Sequence, residues 1–242
     1  MKKLLIIICV LLIIFFGMYA YRRSQNQNMV TATDVNEIET YISQIYMWKE
    51  VTGEALPKFD DINNAPDLWV WEVVTKNLDK YELTYEEIQE KAVEIFGDKF
   101  EKQFPKEGTE SIIYDAEQNK YYTSGMGLDT LEDMFYIKEI QKENNRYEVE
   151  IVEYLEDYAD EIQEGTDDII EEEVANEENQ NTTEPEYNIY IKNLNEETIA
   201  TIKSTEGETR AIEVVKENLD KFSSKKVILE KENNKLVVEE VE

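Results

Sequence analysis

The feature that most constrains this 242-residue chain is a run of eighteen uncharged residues from Leu4 to Tyr21. At a rise of about 1.5 Å per residue, a helix of this length spans about 27 Å, close to the hydrocarbon thickness of a bilayer, about 30 Å. Lys2-Lys3 and Arg22-Arg23 flank the run, and Tyr19 lies at the end where tyrosine rings favour the headgroup layer. The sequence therefore predicts a single transmembrane helix that binds the chain to a lipid bilayer.

A cleaved signal peptide is the alternative interpretation of this run. Signal peptides have a shorter apolar region, about 7–15 residues, and end in a cleavage site of small residues. Here Met18 and Tyr19 precede two arginines, so residues 1–23 are predicted to remain as a signal anchor. The short lysine-rich start favours an N-terminus inside the cell and the remaining residues outside the cytoplasm. Because lysines and arginines balance across the run, the reverse topology stays open.

Missing residue types exclude several kinds of site. The chain has no histidine, and its single cysteine, Cys9, lies inside the predicted transmembrane helix. A disulfide framework, a histidine-based zinc site, a Ser-His-Asp triad and a Cys-His pair are therefore excluded. The net charge of −30 repels nucleic acid and anionic headgroups. The sequence predicts no enzyme activity, no cofactor, no metal site and no nucleic-acid partner.

The residues after the anchor predict a tether and then a helix. Polar residues without periodicity at 24–33 predict a short tether, followed by a folded α+β domain over residues 34–160. The first helix is expected to begin at a capping box of Asp34 and Glu37 and to end before Gly53. Its apolar side chains recur at helical spacing, namely Val35, Ile38, Ile42, Ile45 and Tyr46.

Two further helices are predicted in the first half of the domain. Pro66 suits a first helical position. The apolar face behind it consists of Leu68, Trp69, Val73 and Leu78. The next helix begins at a capping box of Thr84 and Glu87, and Gly97 is expected to end it. Its apolar face consists of Ile88, Ala92, Ile95 and Phe96.

After Pro105 the apolar period becomes two, which predicts antiparallel strands. Residues 111–115 and 120–124 form one predicted hairpin, and residues 134–142 and 146–155 form a longer one. The longer hairpin is expected to turn at Asn144-Asn145, because asparagine tolerates the positive φ of a tight turn. The predicted fold class is α+β, with helices packed on an antiparallel sheet.

Residues 161–186 contain no aromatic side chain and are rich in Glu, Asp, Asn and Thr. Such a segment buries too little apolar area to offset its ordering entropy, which predicts an acidic disordered linker. Beyond it, residues 187–242 are predicted to form a small ββαββ module. The module either forms a second domain, docked or separate, or extends the earlier sheet across the linker.

One internal similarity connects the two predicted regions. Residues 142–153 and 231–242 align without gaps, and eight of the twelve positions are identical. A duplicated module is one interpretation. We favour two hairpins that meet the same turn requirement, because the segments that precede them do not align.

Three groups of residues are candidates for a functional site. Gly125-Met-Gly127 lacks the third glycine of a phosphate-binding loop and is interpreted as an ordinary loop. The acidic clusters lack the spacing of a calcium-binding loop and are interpreted as solvated runs, with weak divalent-cation binding as the alternative; they are Asp60-Asp61, Asp167-Asp168 and Glu171-Glu172-Glu173. Trp48, Trp69 and Trp71 either form an aromatic binding platform or, as we favour, pack in or beside the core.

The chain resembles uncharacterised single-pass membrane-anchored proteins of low-GC Gram-positive bacteria. The features that resemble them are the Lys-Lys start, the single helix through Tyr21, the Lys/Ile/Asn/Glu-rich composition, and the elements Phe96–Phe100 and Phe104-Pro105 before tyrosine-rich strands. The resemblance implies an extracytoplasmic interaction or structural module of the cell envelope whose partner is an unidentified envelope protein. Helices followed by a curved sheet also resemble the NTF2-like cone, which implies a small-ligand-binding or enzymatic pocket lined by carboxylates and tyrosines.

Overall fold

A computed structural model of the protein describes residues 28–123, 131–158 and 187–242. The predicted transmembrane helix Leu4–Tyr21, the Gly125-Met-Gly127 loop and the predicted linker 161–186 lie outside these residues. None of the helices within the described ranges has the length and apolarity needed to cross a membrane.

The described residues form α-helices and antiparallel strands, so the predicted α+β class is confirmed. The helices are α1 (Ala32–Ile45), α2 (Lys49–Thr52), α3 (Asp67–Lys76), α4 (Tyr85–Phe96) and α5 (Gly207–Glu217). The strands are β1 (Glu82–Leu83), β2 (Ile112–Asp115), β3 (Lys120–Thr123), β4 (Leu131–Glu143), β5 (Arg146–Asp157), β6 (Asn188–Lys192), β7 (Thr198–Lys203), β8 (Ser223–Glu232) and β9 (Lys235–Val241).

The N-cap of helix α1 lies three residues before the predicted one, Asp34. Thr31 is the N-cap, its hydroxyl accepts from Asp34 N at 3.1 Å, and Asp34 Oδ2 accepts from Thr31 N at 2.8 Å. The predicted box at Asp34 and Glu37 is therefore wrong, because the Thr31 hydroxyl satisfies the free amides first. The helix ends at Ile45, and α2 is a separate short helix ended by Gly53 at a φ of 82°.

Helix α3 is buried from Trp69 to Thr75 on all sides, so it lies at the centre of the helical layer. Leu68 was predicted on the buried face but is 48% exposed, and the buried part of the helix begins at Trp69. The predicted boundaries of helix α4 are confirmed: Thr84 and Glu87 form a capping box at its start, and Gly97 is its C-cap. Gly97 has a φ of 89°, and a Cβ there would lie 2.8 Å from Val237 Cγ1. Both the backbone conformation and the lack of space therefore favour glycine.

Strand β5 lies at the centre of a six-stranded antiparallel sheet. Strand β4 pairs with β5 along its whole length, from Glu143–Arg146 to Leu131–Asp157. The other edge of β5 is shared, since β8 pairs with Arg146–Glu153 and β6 pairs with Leu155–Asp157. Strands β7 and β9 complete the two sides, and β1, β2 and β3 form a separate small sheet. The strands of residues 187–242 therefore continue the sheet of the preceding residues.

The burial of β5 changes along its length and defines two cores. Burial alternates from Arg146 to Glu150 and is then continuous from Ile151 to Glu156. Tyr147, Val149 and Ile151 belong to the larger core with α1, α3 and α4, while Val152 and Tyr154 belong to a smaller core with α5, β6 and β7. Because successive strand residues point to opposite faces, the two cores lie on opposite faces of one sheet.

Two asparagine turns lie side by side at one end of this sheet. Strands β4 and β5 turn at Asn144-Asn145, and β8 and β9 turn at Asn233-Asn234. Asn233 and Asn234 both have positive φ, whereas in the first turn only Asn144 does. Pairing of Arg146 with Glu230 places the two turns next to each other, and Lys231 N donates to Asn145 O at 2.8 Å. We call this end of the sheet the turn end.

The first described residues of the chain are fixed to the turn end by a buried carboxylate. Asp34 accepts hydrogen bonds from Tyr147 Oη at 2.6 Å and from Lys142 Nζ at 3.0 Å. Burial alone would raise the pKa of Asp34, but the bonds from Tyr147, Thr31 and Lys142 outweigh it and hold that pKa well below its usual range. Nearby, Asn144 N donates to Asn28 Oδ1 at 3.3 Å.

The first prediction concerns Asp34→Asn. Because the change leaves Lys142 and Tyr147 without the carboxylate they contact, we expect the free energy of unfolding at pH 7 to fall by about 3 kcal/mol. A depressed folded-state pKa stabilises the fold above the unfolded value of about 3.9, and this stabilisation is lost as the pH falls. Urea unfolding should therefore show the gap to the wild type closing below about pH 4. Asp79→Asn, at an exposed site, is the control; equal losses would contradict this role.

Candidate binding cleft

A cleft of about 250 Å³ lies at the end of α1 opposite the turn end. One wall comes from α1 and the residues that follow it, with Glu39, Ser43 and Tyr46. The other wall comes from α5, with Glu208 and Ile212. Between them lie residues 133–137 of β4. The cleft therefore joins elements from both sides of the undescribed acidic segment.

The cleft follows the outer edge of β4. Phe135 and Ile137 pack toward the larger core, and Met134 and Tyr136 pack toward the smaller one, so lining residues come from both faces of the strand. Within the described part of the chain, β4 pairs only with β5, which leaves the other edge facing the cleft. A bulge after Ile137 interrupts the regular edge. The usable edge is about five residues, or roughly 16 Å, long.

The floor of the cleft contains a buried tyrosine beside a buried ion pair. The Tyr46 hydroxyl lies 3.2 Å from Met134 O and 3.3 Å from Glu153 Oε1, and its ring centroid lies 5.1 Å from that of Phe135. Lys225 Nζ lies 3.3 Å from Glu153 Oε2 and donates to Leu56 O at 2.6 Å. These contacts join α1, β5 and β8 beneath the cleft.

Burial raises the pKa of two side chains in the floor of the cleft, Tyr46 and Glu153. Burial raises the pKa of Tyr46 well above its usual range, and the negative charges of Glu153 and Asp133 raise it further, so the hydroxyl keeps its proton. Burial also raises the pKa of Glu153, while the charge of Lys225 opposes that rise. The Tyr46 hydroxyl is therefore a hydrogen-bond donor that holds the carboxylate in place.

Carboxylates outnumber ammonium groups on the walls of the cleft. Glu39, Asp133 and Glu208 lie on the walls, against Lys76 alone. Lys76 Nζ is engaged, since it donates to Tyr46 O at 2.7 Å and Ser43 O at 3.0 Å at the end of α1. Among the described residues, Glu39 and Glu208 have no hydrogen bond or ion pair through their side chains. The walls therefore carry a net negative charge.

A second layer of acidic side chains lies behind the α5 wall. Glu156 is 4% exposed, and its Oε2 accepts a hydrogen bond from the Tyr158 hydroxyl. Burial raises the pKa of Glu156, and the charges of Glu132 and Glu208 raise it further against the effect of Tyr158. Glu132 is also its cross-strand partner. Like charges placed directly opposite each other repel, so Glu132 contributes to the raised pKa of Glu156.

Aromatic rings frame the opening. Trp48 lines the cleft and is 40% exposed, whereas Trp69 and Trp71 are buried. Tyr136 already carries an ammonium over its ring, because Lys216 Nζ lies 4.9 Å from the ring centroid. Exposed aromatic faces beside carboxylates bind cations, through the ring quadrupole and through charge. The arrangement favours binding of a positively charged group.

The tryptophans predicted as a possible platform do not come together. Trp69 is fully buried and its Nε1 donates to Ala55 O at 3.1 Å, while Trp71 packs edge-on against Phe104 at 5.1 Å. The favoured core interpretation is therefore confirmed for these two, and Trp48 alone reaches the cleft.

Asp60 and Asp61 have structural partners outside the cleft. Asp61 Oδ1 accepts from Asn63 N at 2.7 Å at the start of a short 3-10 helix, and Asp60 Oδ1 accepts from Asn64 Nδ2 at 2.9 Å. Asp167-Asp168 and Glu171-Glu172-Glu173 lie outside the described residues. The described ranges contain no group of three or more carboxylates placed to hold a metal ion.

Sequence reasoning missed Tyr46 as a site residue and missed the pair of Glu153 and Lys225. One signal was available, because Glu153 interrupts an apolar run between Val152 and Tyr154. A charge inside such a run requires a partner. That partner is 72 positions away in sequence, so only the pairing of β5 with β8 identifies it.

No protein-family model matches the sequence, and comparisons with curated proteins and with solved structures give no significant match. The family of the chain is therefore not established by similarity. Its function has to be inferred from the residues of the cleft and their geometry.

The second prediction concerns Lys225→Met. It leaves Glu153 buried without its ammonium partner, so we expect the free energy of unfolding at pH 7 to fall by about 3 kcal/mol. An acid with a raised folded-state pKa binds more protons when folded, so the loss should shrink from pH 7 toward pH 5. Chemical denaturation across this range measures both effects.

Two further variants control this experiment. Glu153→Gln added to Lys225→Met removes the unpaired charge and should recover most of the stability. Lys226→Met breaks only the exposed pair with Glu148 and should change little. Equal losses from the two lysine variants, or a loss independent of pH, would contradict the ion pair beneath the cleft.

Proposed function

We propose that this chain is a membrane-anchored interaction module of the cell envelope. In this proposal Leu4–Tyr21 spans the bilayer once, uncleaved, and the folded domain lies outside the cytoplasm. Residues 161–186 form a solvated acidic linker. The domain is held with its turn end toward the bilayer and presents the cleft to a partner protein.

One observation carries this proposal: the chain enters the domain at the turn end, and the cleft lies at the other end of α1. Asn28 contacts Asn144, and Asp34 is held by Tyr147 and Lys142. Helix α1 then runs for fourteen residues, about 21 Å, before it reaches Tyr46 in the cleft. Attachment and cleft therefore lie at opposite ends of the sheet.

The short connection between the predicted span and the first described residue supports one orientation of the domain. Six residues, 22–27, separate the predicted span from Asn28, and an extended chain of that length covers about 20 Å. A connection of that length keeps the turn end close to the bilayer and favours an orientation with the cleft away from it. The cleft is then free for a partner in the same compartment.

A small-ligand-binding or enzymatic domain is the alternative function. Tyrosine and carboxylates do line the cleft, as that alternative requires. Its volume of about 250 Å³, however, lies below the range of about 300–1,000 Å³ in which small-ligand sites bury most of their ligand. A cleft of this size beside a strand edge fits one side chain of a larger partner better.

The third prediction tests location and interaction together in intact cells. In a Cys9→Ser background, Val51→Cys places a thiol beside Trp48, and Glu117→Cys places one on the turn between β2 and β3. Both sites are exposed. A membrane-impermeant maleimide photo-cross-linker should label both cysteines without lysis. Illumination should give a discrete larger species from position 51 and none from position 117.

Each part of the proposal has its own contradicting result. Labelling that requires lysis would reverse the proposed topology. Cross-linking that is equal from positions 51 and 117, or missing from both, would contradict a partner at the cleft end.

A further inference from the structure

The sequence between β5 and β6 carries charge of one sign only. Residues 159–186 contain twelve Asp or Glu and no Lys or Arg. The chain leaves the described structure at Tyr158 and re-enters it at Tyr187, and the two rings lie 6.4 Å apart. Tyr158 binds Glu156 behind the α5 wall. The described residues on either side of this acidic sequence therefore lie close to each other, on the same side of the sheet as α5.

We propose that the cleft docks an arginine- or lysine-rich extended segment of a partner protein. This inference rests on the proposed function and names the chemistry of the partner. A cationic side chain of the segment enters beside the exposed Trp48, and Glu39 and Glu208 on the two walls supply the opposite charge.

The shape of the cleft favours an extended peptide over a free small cation. The cleft follows the outer edge of β4 for five residues, and extended peptides commonly bind alongside exposed strand edges. An isolated metal ion requires converging oxygen ligands, and no such group occurs in the described ranges. A peptide uses the edge, the aromatic opening and both acidic walls at once.

The chemistry of the walls favours a cation over an anion. Lys76, the ammonium group on the walls, already binds two carbonyl oxygens of α1. The rings of this sheet also accept ammonium groups from the protein itself, as Lys216 does over Tyr136 at 4.9 Å and Lys142 over Tyr147 at 5.0 Å. A carboxylate or phosphate would instead meet Glu39, Asp133 and Glu208, against Lys76 as the single ammonium group among the described residues that line the cleft.

The test measures peptide binding to the full chain in phosphatidylcholine nanodiscs. The probe is a fluorescein-labelled (Arg-Thr)4 peptide, followed by anisotropy at 50 and 150 mM salt, and (Glu-Thr)4 is the charge-reversed probe. We expect (Arg-Thr)4 to bind and (Glu-Thr)4 not to bind. The variant Glu39→Gln/Glu208→Gln should weaken binding of (Arg-Thr)4 at least tenfold at either salt concentration.

A matched variant separates the cleft from overall charge. Glu86→Gln/Glu90→Gln removes the same number of charges from exposed positions of α4, away from the cleft, and should change affinity less than twofold. All four glutamates are exposed, and each pair has one member in the first turn of a helix, Glu86 or Glu208. The two double variants should therefore lower thermal stability slightly and by similar amounts. Equal weakening by the two double variants, or no binding by the wild type, would overturn docking in the cleft.

Two further measurements test the ring and the class of ligand. Trp48→Ala should weaken binding about fivefold, and Trp48→Phe should restore most of it, because an aromatic face rather than bulk holds the cation. Spermine that binds as tightly as the peptide, with the same dependence on Glu39 and Glu208, would overturn the peptide assignment in favour of a small amine. Because nanodisc binding does not depend on topology, it succeeds or fails separately from cysteine labelling in cells.

Discussion

The rest of the structure depends on β5. This strand is paired on both edges, and its second half is buried on both faces. Strand β4 occupies one edge, and β8 and β6 divide the other. A strand buried on both faces needs a layer on each. Helices α1, α3 and α4 cover one face, and α5 covers the other, where it packs on side chains of β5, β6 and β7. The segments before and after the acidic insertion therefore share one sheet.

This arrangement gives the molecule two chemically different ends. At the turn end, Asp34 is held at low pKa by Tyr147, Thr31 and Lys142, and the fixed position of the first helix follows from those bonds. At the cleft end, Glu153 and Glu156 are buried in the doubly covered half of β5, and both have raised pKa. Tyr158 and Tyr187, the described residues that flank the acidic sequence, lie 6.4 Å apart, ring to ring, on the α5 side of the sheet.

The sequence predicted local structure better than it predicted the site. Capping at Thr84, the stop at Gly97 and the long hairpin depend on near neighbours, and the structure agrees with them. The start of α1 was misplaced because two competing capping residues, Thr31 and Asp34, lie three positions apart. The cleft was not predictable, since Tyr46, Met134 and Glu208 meet only after β5 pairs across the insertion. Composition could predict the charge of the site but not its location.

In our proposal the attachment to the bilayer and the cleft lie at opposite ends of the folded domain. Spin labels at Glu143→Cys, beside the first turn, and Val51→Cys, beside Trp48, in the Cys9→Ser chain test it most directly. In nanodiscs containing nickel-chelating lipids, relaxation enhancement reports closeness to the membrane surface. We expect strong relaxation enhancement for the spin label at position 143 and weak enhancement for the label at position 51. Equal enhancement, the reverse order, or none at either position would contradict it.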